Sequence, residues 1–309
     1  MKIALDAMGG DFAPRSPVKG TLKFLENSSS NVEVILVGDK NILNQELGRS
    51  IPNGIRIHHT SQVVNMHDHA SKVIKSKPNS SIVQGINLVK DGVADAFVSA
   101  GHTGAIMATS LLTLGRIEDL KRPALAAYIP TPKGGKILCD VGANPDARPE
   151  HMLQFAIMAS TYFDHVERKN NPKIALVNIG SEPTKGSELY QETHKLLKNE
   201  LSDDFIGNVE GRNLFEEDSD VIVCDGFTGN IVLKQAESFY NLMKKRGYDD
   251  EYFNRFNYEN YGGTPILGLN KTVIIGHGIS NEIAIKNMIS LTKDVVEADL
   301  STKIKETLN

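Results

Sequence analysis

Short apolar runs alternate along the chain with longer segments whose apolar positions recur at helical spacing. The run at 32–37 is apolar but for one glutamate, the pattern of a strand buried on both faces. Comparable runs at 2–7, 55–59, 96–99, 174–179, 204–209, 221–224 and 273–275 predict further strands. Between them, helical spacing predicts helices over 16–25, 79–90, 105–114, 149–166, 186–197 and 232–245, with a shorter one ending near 47. Pro149 suits a first helical position, the cluster Asn79, Ser80 and Ser81 suits an N-cap, and Ser280 is expected to cap a last helix that runs past 296. Gly134 and Gly135, after Pro132 and Lys133, separate apolar runs at 124–129 and 136–141 and signal a hairpin.

Strands alternating with helices of this length predict a doubly wound α/β fold, mostly parallel, with an antiparallel portion at the hairpin. Right-handed crossovers would bring the strand ends to one edge. No polar linker interrupts the pattern, so 1–309 is expected to form a single α/β domain. The segment 235–260 is expected to be helical and to face a dimer partner or a membrane. Val232, Ala236, Phe239, Tyr240 and Met243 form a helical stripe there, which core, partner or membrane surface could cover.

The stretch VIVCDGFTGNIVLK at 221–234 organises the rest. An apolar run stops at Asp225-Gly226, a Thr-Gly-Asn turn is expected, and a helix follows. Such strand-to-helix corners bind ligands in open α/β sheets. Five more occur: LDAMGGD, VSAGHTGA, CDVGANPD, VNIGSEPTKG and VIIGHGISN. Together they imply one large pocket lined by glycine, small hydroxyls, Asn and Asp. Glycine there lets backbone N–H groups meet an anion at a helix N-terminus; the competing reading of any one corner is a tight turn without a ligand.

Composition narrows the ligand. The 309 residues carry a net charge of −4 and are 23% charged, so nothing global points to nucleic acid. No apolar stretch approaches the roughly 20 residues that span a bilayer, and no signal-peptide pattern opens the chain. The two cysteines, Cys139 and Cys224, sit inside apolar runs and are expected to be reduced and buried. A cytoplasmic protein, peripheral at most to the inner face of a membrane, is the expectation. Neither G-x-G-x-x-G nor Gly-Lys-Ser/Thr follows a glycine loop. A small oxyanion such as phosphate therefore suits the corners better than a nucleotide.

Asp6, Asp140 and Asp225 each end a strand, where a carboxylate can hold amides, position a lysine or bind metal; no metal or cofactor is called for, and Mg²⁺ is not demanded. His102 and His277 lie in Gly-His turns and could donate to an oxyanion, or be plain surface histidines. Basic residues cluster at Lys72, Lys75 and Lys77 and at Lys244, Lys245 and Arg246, the kind of patch an acidic partner needs, though charge runs are usually solvated.

Taken together, LDAMGGD (5–11), SAGHTGA (99–105), DVGAN (140–144), NIG…KG (178–186), FIGNVEGR (205–212), CDGFTGNIVLK (224–234) and YGGTPILGLN (261–270) resemble the bacterial acyl-carrier-protein:phosphate acyltransferases, the PlsX family. The resemblance implies a three-layer α/β/α fold of the phosphotransacetylase / isopropylmalate-dehydrogenase kind and a homodimer. It also implies transfer of a long acyl chain from acyl carrier protein to inorganic phosphate, an early step of phospholipid synthesis. Lys185 and the turn Gly101, His102, Thr103 and Gly104 are then expected to hold phosphate. Asp225, Asn230 and His277 would surround the thioester, and Asp6, Asp140 and Asn144 would organise the loops. Gly9, Gly10, Asp11, Gly226, Thr228, Gly229, Ser280 and Asn281 complete the expected substrate contacts. His102 stands where the family usually has Asn, Ala147 where Cys is frequent, and Ser181 where an acid is usual; 235–260 is shorter than the family's hydrophobic hairpin. An acyl-coenzyme A phosphotransacetylase and an inactive carrier-binding scaffold are the alternatives.

Overall fold

A computed structural model describes residues 1–26, 31–48, 50–132, 134–216 and 218–308. In chain order these form β1 (Lys2–Asp6), α1 (Arg15–Glu26), β2 (Glu33–Gly38), α2 (Lys40–Leu47), β3 (Ile55–His59), α3 (Val73–Ser76), α4 (Ser81–Lys90), β4 (Ala96–Ser99) and α5 (Thr103–Leu114). Then come β5 (Ala124–Thr131), β6 (Gly134–Cys139), α6 (Pro149–Val166), β7 (Ile174–Asn178), α7 (Glu188–Glu200), β8 (Phe205–Glu210), β9 (Val221–Val223), α8 (Gly226–Lys245) and α9 (Glu251–Asn254). The chain closes with β10 (Thr264–Leu267), β11 (Thr272–Ile275), α10 (Glu282–Glu297) and α11 (Leu300–Leu308). Where one domain was expected, the residues group into two compact units: 1–116 with 258–297, and 117–257 with 298–309.

In the first unit the strand order is β3-β2-β1-β4-β11-β10, parallel except for β10 against β11. Ile3, Leu5, Ile35, Leu36, Phe97 and Ile274 form its buried core. Helix α4 lies on β1, β2 and β4, and α10 packs on β4, β11 and α1. A side chain at Gly85 of α4 would come within 2.3 Å of the Phe97 ring, so glycine sets the approach of that helix to the sheet.

In the second unit the order is β5-β6-β9-β7-β8, again parallel apart from one pair, the β5–β6 hairpin. Thr131 pairs with Gly134 at its end, as the glycine pair predicts; Lys133 of that turn lies outside the described residues. Helix α6 covers β6 and β9, with α7 and α11 beside it. Each unit is thus the expected α/β class, mostly parallel with an antiparallel portion.

Four local readings need correction. Strand β10 goes unread in the sequence because Pro265 sits in a run of only four residues. The cap of α10 is Asn281, whose Oδ1 accepts from the N–H groups of Ile283 and Ala284 at 3.0 Å, and not Ser280. No Thr-Gly-Asn turn precedes α8: Gly226 is already helical, and Thr228, Gly229 and Asn230 belong to its first turns. The apolar stripe of α8 is not core either, since only Gly226 and Gly229 of its 20 residues are buried. Among the described residues no helix is long and apolar enough to cross a membrane.

Candidate active site

The second unit gathers its expected site residues at the ends of β6 and β9. These strands are parallel neighbours, so the loops that follow them emerge at one edge. Asp140, fully buried after β6, accepts N–H bonds from Leu125, Gly142, Ala143 and Asn144 and from the Asn144 side-chain amide. Burial pushes its carboxyl above the usual carboxylate value, although these donors pull the other way. Asn144 also donates to the Pro123 carbonyl at 2.8 Å. Asp140 thereby holds the 140–144 loop closed on itself, and its carboxylate has no lone pair directed at a ligand.

Asp225 plays a different part. It is the N-cap of α8, 7% exposed, with Oδ1 accepting from the Thr228 N–H at 2.9 Å. Its Oδ2 accepts from the Thr228 hydroxyl at 2.8 Å and from the Tyr190 hydroxyl at 2.5 Å. Tyr190, in the first turn of α7, has its pKa raised by burial and then by this bond, so it remains a donor through neutral pH. The two loops interlock: Gly226 N–H donates to the Asn144 carbonyl at 2.9 Å, and the Asn230 amide donates to the Val141 carbonyl at 3.2 Å. Gly229 is obligatory, because a Cβ there would lie 1.9 Å from the Asp140 carbonyl oxygen. A cleft of about 440 Å³ opens at this corner, walled by Asp146, Ala147, Ser187, Leu189, Tyr190, Asp225 and Phe227.

Lys185 precedes α7 on the loop that carries Gly186. The Asn178 amide donates to its carbonyl at 3.1 Å, while its ammonium is half-exposed and 4.0 Å from Glu182. Cys139 and Cys224 are fully buried, as expected, and burial drives both thiols well above their ordinary pKa. Neither can serve as a thiolate nucleophile in this state.

The first unit forms its own corner from β1, β4 and β11, three adjacent parallel strands. Asp6 is buried, accepts from the Ser99 hydroxyl at 2.6 Å and from the Met8 N–H at 3.0 Å, and is held above the usual carboxylate value by burial. The Ser99 hydroxyl in turn accepts from the Gly101 N–H at 2.9 Å. Asp11 N–H donates to the Gly278 carbonyl at 2.7 Å, next to Gly10 with φ of 98°. A Cβ at Gly9 would lie 2.3 Å from the Asp6 carboxylate. His102 caps α5, its Nδ1 accepting from the Ala105 N–H at 3.3 Å ahead of Thr103 and Gly104. His277 packs against Tyr258 with ring centroids 5.0 Å apart and planes tilted by 52°. The Asn281 amide is engaged by the α10 cap and by Glu259, while the buried Ser280 hydroxyl has no partner among the described residues. No group of three or more His, Cys, Asp or Glu residues is placed for a metal ion among the described residues.

Sequence reasoning missed two residues. Ser99 is a strand-end hydroxyl that ties Asp6 to the Gly101 turn, and Tyr190 supplies the shortest bond to Asp225. Ser99 was legible as the start of SAGHTGA; Tyr190, in a polar helix start, carries no local signal.

A profile for the family described as "Fatty acid synthesis protein" matches residues 1–303. The chain belongs to this family, the PlsX family. A phosphate acyltransferase from Desulfitobacterium hafniense is 46% identical over 330 aligned positions, which cover 100% of this PlsX-family chain and 98% of the relative. One from Dictyoglomus turgidum is 43% identical over 331 positions, covering 100% and 98%. Those alignments are longer than the 309 residues here, so the relatives carry segments that this chain lacks. Among solved structures, the EutD phosphotransacetylase from Staphylococcus aureus superposes with a TM-score of 0.63 at 18% identity, covering 96% of this chain and 94% of that one. The fold is therefore the phosphotransacetylase fold, as the resemblance implies.

Proposed function

We propose that the protein transfers a long acyl chain from the thioester of acyl carrier protein to inorganic phosphate, releasing the carrier thiol and acyl phosphate. Full-length identity to phosphate acyltransferases supports the reaction class. The observation that carries the mechanism is the Asp225 corner, where a cleft ends on the N-terminus of α8 and holds no activated nucleophile of the protein's own. Inorganic phosphate has its second pKa close to neutrality, so a large share of it is dianionic there without help from the protein. It needs placement against the thioester carbonyl and stabilisation of the oxyanion that forms as the C–S bond breaks. Both cysteines are too buried to form a thioester intermediate, which favours direct attack by phosphate. In this reading Lys185 attracts phosphate, Asn230 and the Asp225 corner face the thioester, and Asp140 with Asn144 keeps the loop in shape. No cofactor enters the reaction as written.

The reading extends to a cytoplasmic homodimer that touches the membrane from inside. On α8, Phe227, Ile231, Phe239 and Leu242 are exposed along an arc of about 120°, which suits such a contact. Purified protein given long-chain acyl carrier protein and phosphate should release free carrier thiol in a phosphate-dependent way. Faster turnover of acetyl-coenzyme A would favour the phosphotransacetylase alternative, and carrier binding without turnover would favour the scaffold.

A further inference from the structure

Beside α8 lies a second cavity, of about 260 Å³, that the chemistry above does not use. Its wall consists of the rings of Phe215, Phe239, Tyr240, Tyr252, Phe253 and Phe256 and the methyl group of Ala236. No charged side chain lines it. The rings brace one another: Phe256 meets Phe215 and Tyr252 edge-on, each with centroids 5.4 Å apart. The segment that carries them is fastened to β5, through the Tyr252 hydroxyl on the Pro130 carbonyl and Arg255 on the Thr131 carbonyl at 2.7 Å. The cavity is thus built in advance and is apolar throughout, a lining that suits an alkyl chain and repels phosphate or a pantetheine amide.

One helix, α8, runs from the candidate site to the cavity. Residues four apart are neighbours on a helix surface, and Thr228, Val232, Ala236 and Tyr240 form a row on α8 that winds by about 40° at each step. Thr228 is bonded to Asp225 at the corner, and Ala236 and Tyr240 line the cavity. At 1.5 Å per residue the row covers about 12 Å to Ala236 and about 18 Å to Tyr240. An extended chain gains about 1.2 Å per bond, so about ten carbons reach Ala236 and about fifteen reach Tyr240.

We propose that this aromatic cavity holds the distal end of the acyl chain, with α8 as the ruler between thioester and tail. The assignment rests on the acyl-transfer reading for its ligand and on the cavity for its place. Medium chains should stop short of the wall. Each further methylene that enters it should tighten binding by up to roughly fourfold, until the space is filled.

Ala236 lies on a half-exposed face, so Ala236→Phe fills the cavity without entering the core, and Ala236→Leu grades the intrusion. Two readouts apply to each variant. In the first, kcat/KM is measured for octanoyl, dodecanoyl and hexadecanoyl carrier-protein thioesters. The expected result is a hexadecanoyl value at least tenfold lower in Ala236→Phe, mainly through KM, with the octanoyl value unchanged and Ala236→Leu in between. In the second, the fluorescent fatty acid cis-parinaric acid is titrated without phosphate or carrier; wild type should bind it saturably and Ala236→Phe at least tenfold more weakly. If wild type binds the probe, Ala236→Phe does not, and no thioester turns over, the cavity assignment stands and the acyl-transfer reading falls. If turnover is robust and its length profile is the same in all three proteins, the assignment falls and the reaction stands. A variant that alters only subunit mass or vesicle binding, with probe affinity intact, would give the face to a second copy or a bilayer and overturn the proposal.

Discussion

Replacing Tyr190 by Phe removes one oxygen atom and tests how the Asp225 corner is held. The lost hydroxyl donates to a buried carboxylate at 2.5 Å, and it also lies 3.2 Å from the Thr228 hydroxyl and 3.4 Å from the Asp225 N–H. After the change Asp225 keeps only the two donors of Thr228, one backbone and one hydroxyl. Hydrogen bonds to charged groups contribute about 1.5–3 kcal/mol, and the Asp225 side chain has too little exposure for water to restore the bond fully. For a unit of this size that corresponds to a Tm lower by roughly 3–12 °C. The pH dependence gives an independent check. The Tyr190 pKa is raised in the folded state, so its contribution is complete below the ordinary tyrosine value of 10.0 and is lost as pH climbs from there through the folded value. Tyr190→Phe should therefore lose less stability than wild type between neutral and strongly alkaline pH. Urea unfolding of both proteins at neutral pH and at about pH 10–11 measures both effects. A variant within about 0.5 kcal/mol of wild type at neutral pH, with the same alkaline decline, would refute the claim that Tyr190 secures this corner.

Gly229→Ala, whose new methyl would sit 1.9 Å from the Asp140 carbonyl and 2.8 Å from the Cys224 sulfur, should destabilise by about 3 kcal/mol or more. Gly211→Ala, with nothing within 4 Å of the new methyl, should change stability by less than about 1 kcal/mol in the same denaturation series. Lys185→Ala should raise the phosphate requirement in steady-state kinetics and leave the KM for the acyl donor nearly unchanged; an unaltered phosphate dependence would remove that role. Asp6, held above its ordinary value of 3.8 by burial, contributes stability that is complete below that value and is lost as pH rises through the folded one. Asp6→Asn should flatten this part of the stability profile when unfolding midpoints are followed from about pH 4 to about pH 8.

Much of the fold was legible because its strands obey one rule. A strand covered by helices on both faces must be apolar at consecutive positions, and β2, β4, β7, β9 and β11 all read that way. The hairpin was legible because two glycines in sequence interrupt two apolar runs. What escaped depends on partners distant in sequence. β10 is defined by its pairing with β11, not by its own composition. Tyr190 and Asp225 are 35 residues apart and meet only because β7 and β9 are neighbours. Asn281 outcompetes Ser280 as a cap through its position one residue nearer the helix, a distinction finer than composition resolves. The division into two units escaped for the opposite reason: each unit repeats the same alternation, so the pattern does not change where one gives way to the other.

Helix α8 shows why the apolar residues of this region answer to contact more than to folding. A surface helix normally owes its stability to the face it buries, because isolated helices of this length are marginal in water. Here the buried residues are two glycines in the first turns, which contribute no apolar side chain. What anchors the N-terminal end is polar: the Asp225 cap, the Tyr190 hydroxyl and the Asn230 amide on the Val141 carbonyl. Further along, Phe227, Ile231, Phe239 and Leu242 are exposed, and Ala236, Phe239 and Tyr240 line a cavity that the protein leaves unfilled. Core packing accounts for neither stripe. A helix pinned at one end by the polar corner, with an open apolar row leading away from it, has the form needed to hold a thioester at its start and a hydrocarbon tail along its length. Filling the cavity should consequently firm α8 as well as bind the tail. Amide exchange in α8 should slow when cis-parinaric acid is added to wild type and should not change in Ala236→Phe; equal exchange with and without the probe in wild type would separate the cavity from the helix and remove the ruler.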